Sequence, residues 1–406
     1  MPAGSDRAAG HDVRQGLYLV LSDPQHQFPT VTRSSEPFIV LRLDTDDPAA
    51  TDGKSVQLSS AAPAASTLWT LRDGEPAVRL EPGQVLPIWS GAAIHPELAA
   101  LLRLSRTAEA GASLVPVPLL LIGVRQGART VRSSYFACTR VRRSGTSWVR
   151  IGEVERASVV LEELIAPGLE LLAGERREIS SELHQFTNFH KNTEIEVKLT
   201  LTTETSPAAV ADHFVSLVER DGLPGFVSDL GNELQRWEYS QTTFEILSPD
   251  HEKGYMGFVA QADGTYVIRH KTFPQDTLRR REVFHRGIEA EPSGFEGYLA
   301  ATFPEMRFRR LPAFSRSRFD VNLESTATGH FFGIETDEVV AGDHVMRQVE
   351  IEYHKSRRIP CVNPDDIESE LFRLQDLVLA ELKAIGIEAD AGYRSKLSFL
   401  RDLVDR

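Results

Sequence analysis

Apolar and polar positions along this chain follow different rhythms in its two halves. Up to about residue 175 the apolar residues come in short runs: GLYLVLS at 16–22, FIVLRL at 38–43, STLWTLR at 66–72, LVPVPLLLIGV at 114–124, YFACTRV at 135–141 and SWVRIGEV at 147–154. Turn residues separate them, which predicts strands. HPELAALLRL at 95–104 predicts one helix among them, and the run at 157–180 predicts another that ends at its Pro and Gly. The stretches at 44–55 and 59–66 read as exposed loops, and the polar segment SSELHQFTNFHKN at 180–192 reads as a boundary. The expected organisation is therefore a β-rich N-terminal accessory domain over 1–180, to which no site is assigned, and a second domain over 190–406.

The second half opens with a strand, TEIEVKLTL at 193–201, and a helix with clear start signals. Ser206 can cap, Pro207 occupies the first helical position, and Val210, Phe214, Leu217 and Val218 form an apolar stripe. Strands are expected at 236–246, 255–261, 265–271, 278–286, 316–324, 330–338 and 346–354, with a hairpin turn at Gly264. From Pro364, the residues Ile367, Leu371, Leu374, Val378, Leu382 and Ile385 keep helical spacing until Gly386 ends the run.

Composition narrows the function classes. Hydrophobic residues are 41% and charged residues 25%, as in globular proteins. Lys and Arg number 45 against 58 Asp and Glu, a net charge of −13, the wrong sign for a general nucleic-acid binder. Any phosphate chemistry must rest on a local basic cluster. Two cysteines, Cys138 and Cys361, build neither a disulfide framework nor a four-cysteine zinc site. The opening residues have no apolar core and the apolar run at 115–124 is too short to span a bilayer. The expectation is a soluble cytoplasmic protein that binds neither membrane nor nucleic acid in general.

In TEIEVKLTL, strand alternation puts Glu194, Glu196 and Lys198 on one face and Ile195, Val197 and Leu199 on the other. Alone, this pattern reads first as a surface strand with its charges in solvent. It recurs, however: Glu350 and Glu352 alternate with Val349, Ile351 and Tyr353, while Arg269 and Lys271, Arg279 and Arg281, and Arg316 and Arg318 share strand faces, with Arg280 and Glu282 on the face opposite Arg279. Many strands with charge on one side and apolar groups on the other predict a sheet closed on a polar interior. Two carboxylates about 4 Å apart repel by roughly 4 kcal/mol at an effective dielectric of about 20, so several in one cavity need a counter-charge. Oxygen ligands with room for water suit Mg²⁺ or Mn²⁺, and the basic rows suit a polyphosphate.

With these residues in place, the second half resembles the CYTH superfamily, the triphosphate tunnel metalloenzymes, whose hallmark is an ExExK strand opening an eight-stranded antiparallel tunnel. The order continues with VIRHK ending in Lys271, the Arg280-x-Glu282 strand, the Arg316 and Arg318 pair, TDEV with Asp337, and the Glu350-x-Glu352 strand. GYRSKLSFL, with Tyr393, Ser395 and Lys396, is a looser form of the closing element. The match covers about residues 190–402. One departure is visible: the family's Leu-Arg-x-Arg strand is replaced by YMGFVAQADG, which carries no base.

The resemblance implies an α+β fold: a C-terminal antiparallel eight-stranded β-tunnel with flanking helices, preceded by the β-rich N-terminal domain. It implies a metal-dependent phosphohydrolase acting on an inorganic or organic triphosphate. Glu194, Glu196, Asp337, Glu350 and Glu352 would hold Mg²⁺ or Mn²⁺. Lys198, Arg269, Lys271, Arg280, Arg316 and Arg318 would bind phosphate, and Glu194, Glu196 and Lys198 would form the catalytic strand. The alternatives are a nucleotidyl cyclase resembling class IV adenylate cyclases, and a non-catalytic polyphosphate-binding module. DGKS at 52–55 lacks the first Gly of a P-loop, that place being Pro48. His184 and His190 read as linker residues, His285 and His354 as structural histidines or proton carriers, and Trp237, Tyr239 and Phe244 as core.

Overall fold

The computed structural model describes residues 13–22, 38–43, 52–59, 65–71, 75–80, 117–142, 145–179 and 181–405. They fall into two compact units, one up to Phe186 with Arg357–Val362, the other Thr187–Ser356 with Asn363–Arg406. The expected helix at 95–104 lies outside the described residues. No described helix is long and apolar enough to cross a membrane.

The first unit is built on strands β1 (Gly16–Ser22), β2 (Phe38–Leu43), β3 (Ser55–Ser59), β4 (Ala65–Leu71), β5 (Val78–Leu80), β6 (Val117–Gln126), β7 (Val131–Arg142) and β8 (Gly145–Arg156). They form one sheet in the order β3-β8-β7-β6-β1-β2-β4-β5. Tyr18, Val20, Val40, Leu120, Ile122 and Tyr135 are buried on one face, beneath helix α1 (Ile165–Gly174). Leu19, Ile39, Leu41, Leu121, Phe136 and Trp148 are buried on the other. Burial on both faces explains why these strands read as unbroken apolar runs. Helix α1 begins two residues before Pro167 instead of ending there, because a proline in the first turn gives up no helical hydrogen bond. Gly168 follows it where a Cβ would stand 2.7 Å from both Leu120 and Tyr135, so the helix lies against the sheet at a distance only glycine permits.

Strand β9 (Phe186–Thr187) falls at the boundary between the units, and the second unit contains β10 (Thr193–Leu201), β11 (Phe226–Ser228), β12 (Leu234–Ser248), β13 (Gly254–Ala260), β14 (Tyr266–Thr272), β15 (Arg279–Ile288), β16 (Arg307–Arg310), β17 (Phe314–Ser325), β18 (His330–Ala341), β19 (His344–Arg357, all but its last residue) and β20 (Ala389–Gly392). Eight of them close into an antiparallel barrel: β17, β18, β19, β10, β15, β14, β13 and β12, which pairs back onto β17. Every long strand expected in this half is present, with ends shifted by a few residues.

The barrel's outer face is the apolar one. Ile195, Val197 and Leu199 of β10 and Val349 and Ile351 of β19 pack against helices α2 (Pro207–Glu219) and α4 (Ile367–Ala384). Met256, Phe258 and Ile268 pack against α3 (Phe295–Thr302), where the Phe258 and Phe295 rings stack at 3.9 Å. The last helix, α5 (Lys396–Val404), acts differently. Its Leu397, Phe399 and Leu400 pack with Tyr255, Phe314, Val339 and Met346, which have the inward parity of their strands. Helix α5 therefore plugs one end of the barrel. Ser395 caps it, its side chain accepting from the Ser398 amide, and this cap places Lys396 at the barrel interior.

Candidate functional site in the barrel interior

Inward-facing positions carry the charge. Glu194, Glu196, Lys198, Lys271, Arg280, Arg316, Asp337 and Glu350 are all buried, and Arg269, Arg318 and Glu352 nearly so. Register decides who meets whom. β10 lies against β19 with Glu196 opposite Glu352 and Lys198 opposite Glu350, while β17 lies against β18 with Arg318 opposite Asp337.

At the plugged half each acid is held by bases. Lys198 pairs with Glu350 and stands 2.9 Å from Glu196. Arg316 grips Asp337, its Nε donating at 2.8 Å, and reaches Glu350 at 2.9 Å. Lys396 is 2.7 Å from Glu350 and 3.0 Å from Asp337. Burial alone would raise the Glu350 carboxyl, but Lys198, Lys396, Arg316 and Arg318 hold it well below the usual carboxylate range. Burial and the neighbouring Arg316 push the Lys396 ammonium below its ordinary value. Such pairs survive burial because each charge has a hydrogen-bonded partner.

A second group lies farther from the plug, where the balance reverses. Glu194, Glu196 and Glu352 each offer an oxygen, and these atoms lie within 4.8 Å of one another. Lys271 pairs with Glu194, and Arg280 with Glu196, yet Oε2 of each of these two acids is buried with no hydrogen-bond partner. Burial, and then Glu194 and Glu196, push Glu352 up to about 7. Orphaned buried carboxylate oxygens facing a third carboxylate are what a divalent cation would satisfy, and an all-oxygen donor set fits Mg²⁺ or Mn²⁺. Glu335, Glu352 and His354 form an adjoining group, with Glu335 also paired to Arg318 and its Oε1 lying 3.2 Å from Nε2 of His354.

Of the sequence candidates, the barrel gathers Glu194, Glu196 and Glu352 into the carboxylate group, whereas Asp337 and Glu350 sit among Arg316, Lys198 and Lys396. Arg269 pairs with Glu282 at 2.8 Å, and Glu282 lies 3.6 Å from Lys271. Glu335 was not among the candidates, although it shares the strand face of Asp337 and alternation alone would have found it. Tyr239 corrects the sequence reading: it is not core but spans the interior, its hydroxyl accepting from Arg269 at 3.0 Å and Arg316 at 2.9 Å. Phe244 is core, and Trp237 is 50% exposed. His285 packs outside, its ring 5.5 Å from that of Phe303.

Burial opposes ionisation of Tyr239, but Arg316 and Arg269 bring the phenol down to about 8. A phenol whose folded value is depressed below its ordinary 10 adds stability that is present above 10 and is lost as pH falls through 8. Difference absorbance in the near ultraviolet should therefore show one tyrosine ionising near pH 8, and Tyr239→Phe should remove that phase. Retention of the phase in the variant would show that the phenolate belongs elsewhere.

No protein-family model matches the chain, and no curated protein does. Among solved structures, the chain is similar to an adenylyl cyclase-type protein from Hippeastrum whose description gives it a dominant triphosphatase activity, at 14% identity, TM-score 0.31, over 52% of this chain and 95% of that one. It is also similar to an adenylate cyclase-type protein from Bacillus halodurans, at 10% identity, TM-score 0.29, over 51% and 98%. The RNA triphosphatase Pct1 of S. pombe, in complex with the Spt5 CTD, matches at 12% identity, TM-score 0.23, over 53% and 85%. The fold rests on the strand pairings above.

Proposed function

We propose that the second unit is a metal-dependent phosphohydrolase that takes a triphosphate-bearing substrate into the barrel. The observation that carries this is the Glu194, Glu196 and Glu352 group, with two buried carboxylate oxygens lacking partners, set in a chamber that also holds Lys198, Lys271, Lys396, Arg269, Arg280, Arg316 and Arg318. A bound Mg²⁺ or Mn²⁺ would supply Lewis acidity toward phosphoryl oxygens and make water more acidic.

The protein's own residues account for the rest. Arg316 and Arg269 present planar forks suited to phosphate oxygens, and Tyr239 holds the two guanidiniums at a fixed separation. Lys198, Lys271 and Lys396 supply point charges that stabilise negative charge accumulating on the leaving oxygens. Each of these bases holds an acid in the free protein, so a polyanion entering alone meets carboxylates as well as cations. Neutralising the carboxylates frees the bases, and cation and polyanion should therefore bind cooperatively. The base-poor β12–β13 wall, with Gln241, Thr243 and Tyr255 inward, leaves the phosphates to the opposite strands.

The test is to incubate the protein with tripolyphosphate, ATP and thiamine triphosphate plus Mg²⁺ or Mn²⁺ and to separate the products. Release of orthophosphate is expected. Pyrophosphate with a cyclic nucleotide would instead identify a cyclase, and no product with retained binding would identify a binding module.

A further inference from the structure

Arg269 and Arg316 reach the barrel interior from β14 and β17, and each commits two of its three nitrogens to carboxylates. Nε and Nη2 of Arg269 donate to Glu282 at 3.0 and 2.8 Å. Nε of Arg316 donates to Asp337 at 2.8 Å, and its Nη2 is shared by Asp337 and Glu350. What remains in both is Nη1, and both Nη1 atoms donate to one acceptor, the hydroxyl of Tyr239, at 3.0 and 2.9 Å. A single oxygen thus sits where the two uncommitted arms meet, which is the place those arms offer to an oxygen of a bound phosphate. Tyr239 is half-buried, and the next inward position on β12, Trp237, is 50% exposed, so the phenol has solvent on one side to turn toward.

We infer that the Tyr239 hydroxyl is the free protein's stand-in for a phosphate oxygen, and that the substrate enters this part of the site by displacing it from between Arg269 and Arg316. This rests on the triphosphate reading. A phenol brings one oxygen and at most one charge, whereas a phosphate chain brings several oxygens and more charge, so the exchange favours a polyphosphate and rejects weak, singly charged anions. Lys396 on α5 is the third cation near the phenol, and Glu282, Asp337 and Glu350 stand behind the two guanidiniums. Burial opposes ionisation of the phenol, and Arg316, Arg269 and Lys396 favour it. Once phosphate occupies the two arginines, the phenol should therefore return toward its ordinary value of 10. Binding above about pH 8 then takes up a proton.

The experiment follows tyrosine ionisation in the full chain by near-ultraviolet difference absorbance, with Mg²⁺ alone and with Mg²⁺ plus saturating tripolyphosphate, beside isothermal titration of tripolyphosphate into the wild type and Tyr239→Phe. The ionisation expected at about 8 in the free protein should move up by about one pH unit or more in the complex. Tyr239→Phe removes the competing oxygen and keeps the ring, so it should bind tripolyphosphate about tenfold tighter at about pH 8. Above that pH the wild-type affinity should fall relative to the variant, by up to about tenfold per pH unit. An unmoved ionisation, or weaker binding by the variant, as a fixed spacer between the arginines requires, would overturn the inference. The wild-type absorbance decides the matter even where the variant fails to fold. A moved ionisation without turnover of tripolyphosphate would sustain the exchange and remove the hydrolase reading. Turnover with an unmoved ionisation would do the reverse, and binding by neither protein would overturn both.

Discussion

Glu352→Gln should lower triphosphate turnover on the order of a hundredfold to a thousandfold while making the metal-free protein more stable at about pH 8. The two effects have one cause. Glu352 faces Glu194 and Glu196, and its folded value is pushed to about 7 from an ordinary 4.5. Between those values the native protein keeps a proton that the unfolded chain has released. Stability from this group is thus full below about 4.5, declines through the window and is gone above about 7. Glutamine resembles the protonated acid, so the variant should melt higher than the wild type at about pH 8 and alike at about pH 4. It also removes a ligand, so Mg²⁺ should stabilise the variant much less than the wild type. Thermal melts across pH with and without Mg²⁺, beside steady-state kinetics, read both effects. A variant that melts lower at every pH while keeping its Mg²⁺ response would place Glu352 in a structural ion pair instead.

Arg316→Ala should have the largest combined effect. Arg316 is buried and donates to Asp337, Glu350 and Tyr239. Its removal leaves Asp337 and Glu350 to Lys396 and Lys198 alone, which should cost about 3–5 kcal/mol of unfolding free energy, the range for breaking a buried pair. Loss of the guanidinium fork should lower kcat/KM about a hundredfold or more. Arg316→Lys keeps the charge but not the two-pronged geometry, and should fall between. Denaturant unfolding and kinetics of both variants check this. Activity of Arg316→Ala within about threefold of the wild type, at saturating Mg²⁺, would exclude Arg316 from phosphate binding.

Much of this site was legible because a barrel with a polar lumen writes its architecture into strand alternation. In β10 Ile195, Val197 and Leu199, and in β19 Val349, Ile351 and Tyr353, alternate with polar residues and belong to the core under α2 and α4, so the residues between them had to face inward. The same logic misplaced Trp237 and Tyr239. At the open end of β12 the outward positions, Arg236 and Glu238, are solvent-exposed, so no apolar face marks the outside and the aromatics on the inside read as core. Alternation also says which residues face the lumen and not which of them pair. That Asp337 meets Arg316 and Lys396, while Glu352 meets Glu194 and Glu196, depends on register between strands far apart in the chain. Helix α3 was missed because FEGYLAAT follows Pro and two glycines flank its start; packing of Phe295 and Leu299 outweighs that poor propensity. Helix α5 did carry a signal, the Ser395 cap, in a segment read for its motif and not for its spacing.

The coupling of cation to polyanion through the Glu194, Glu196 and Glu352 group is tested most directly by isothermal titration of tripolyphosphate into the wild type and a Glu194→Gln, Glu352→Gln double variant, each without metal and with Mg²⁺ in excess over the phosphate. Metal-free binding should weaken as salt rises, since it rests on the bases alone. Mg²⁺ should tighten binding to the wild type about tenfold or more, a coupling in the ordinary range between two sites. In the double variant that gain should shrink to about twofold or less, with metal-free binding equal or tighter because two repelling carboxylates are gone. The same Mg²⁺ enhancement in both proteins would mean that these carboxylates do not hold the metal.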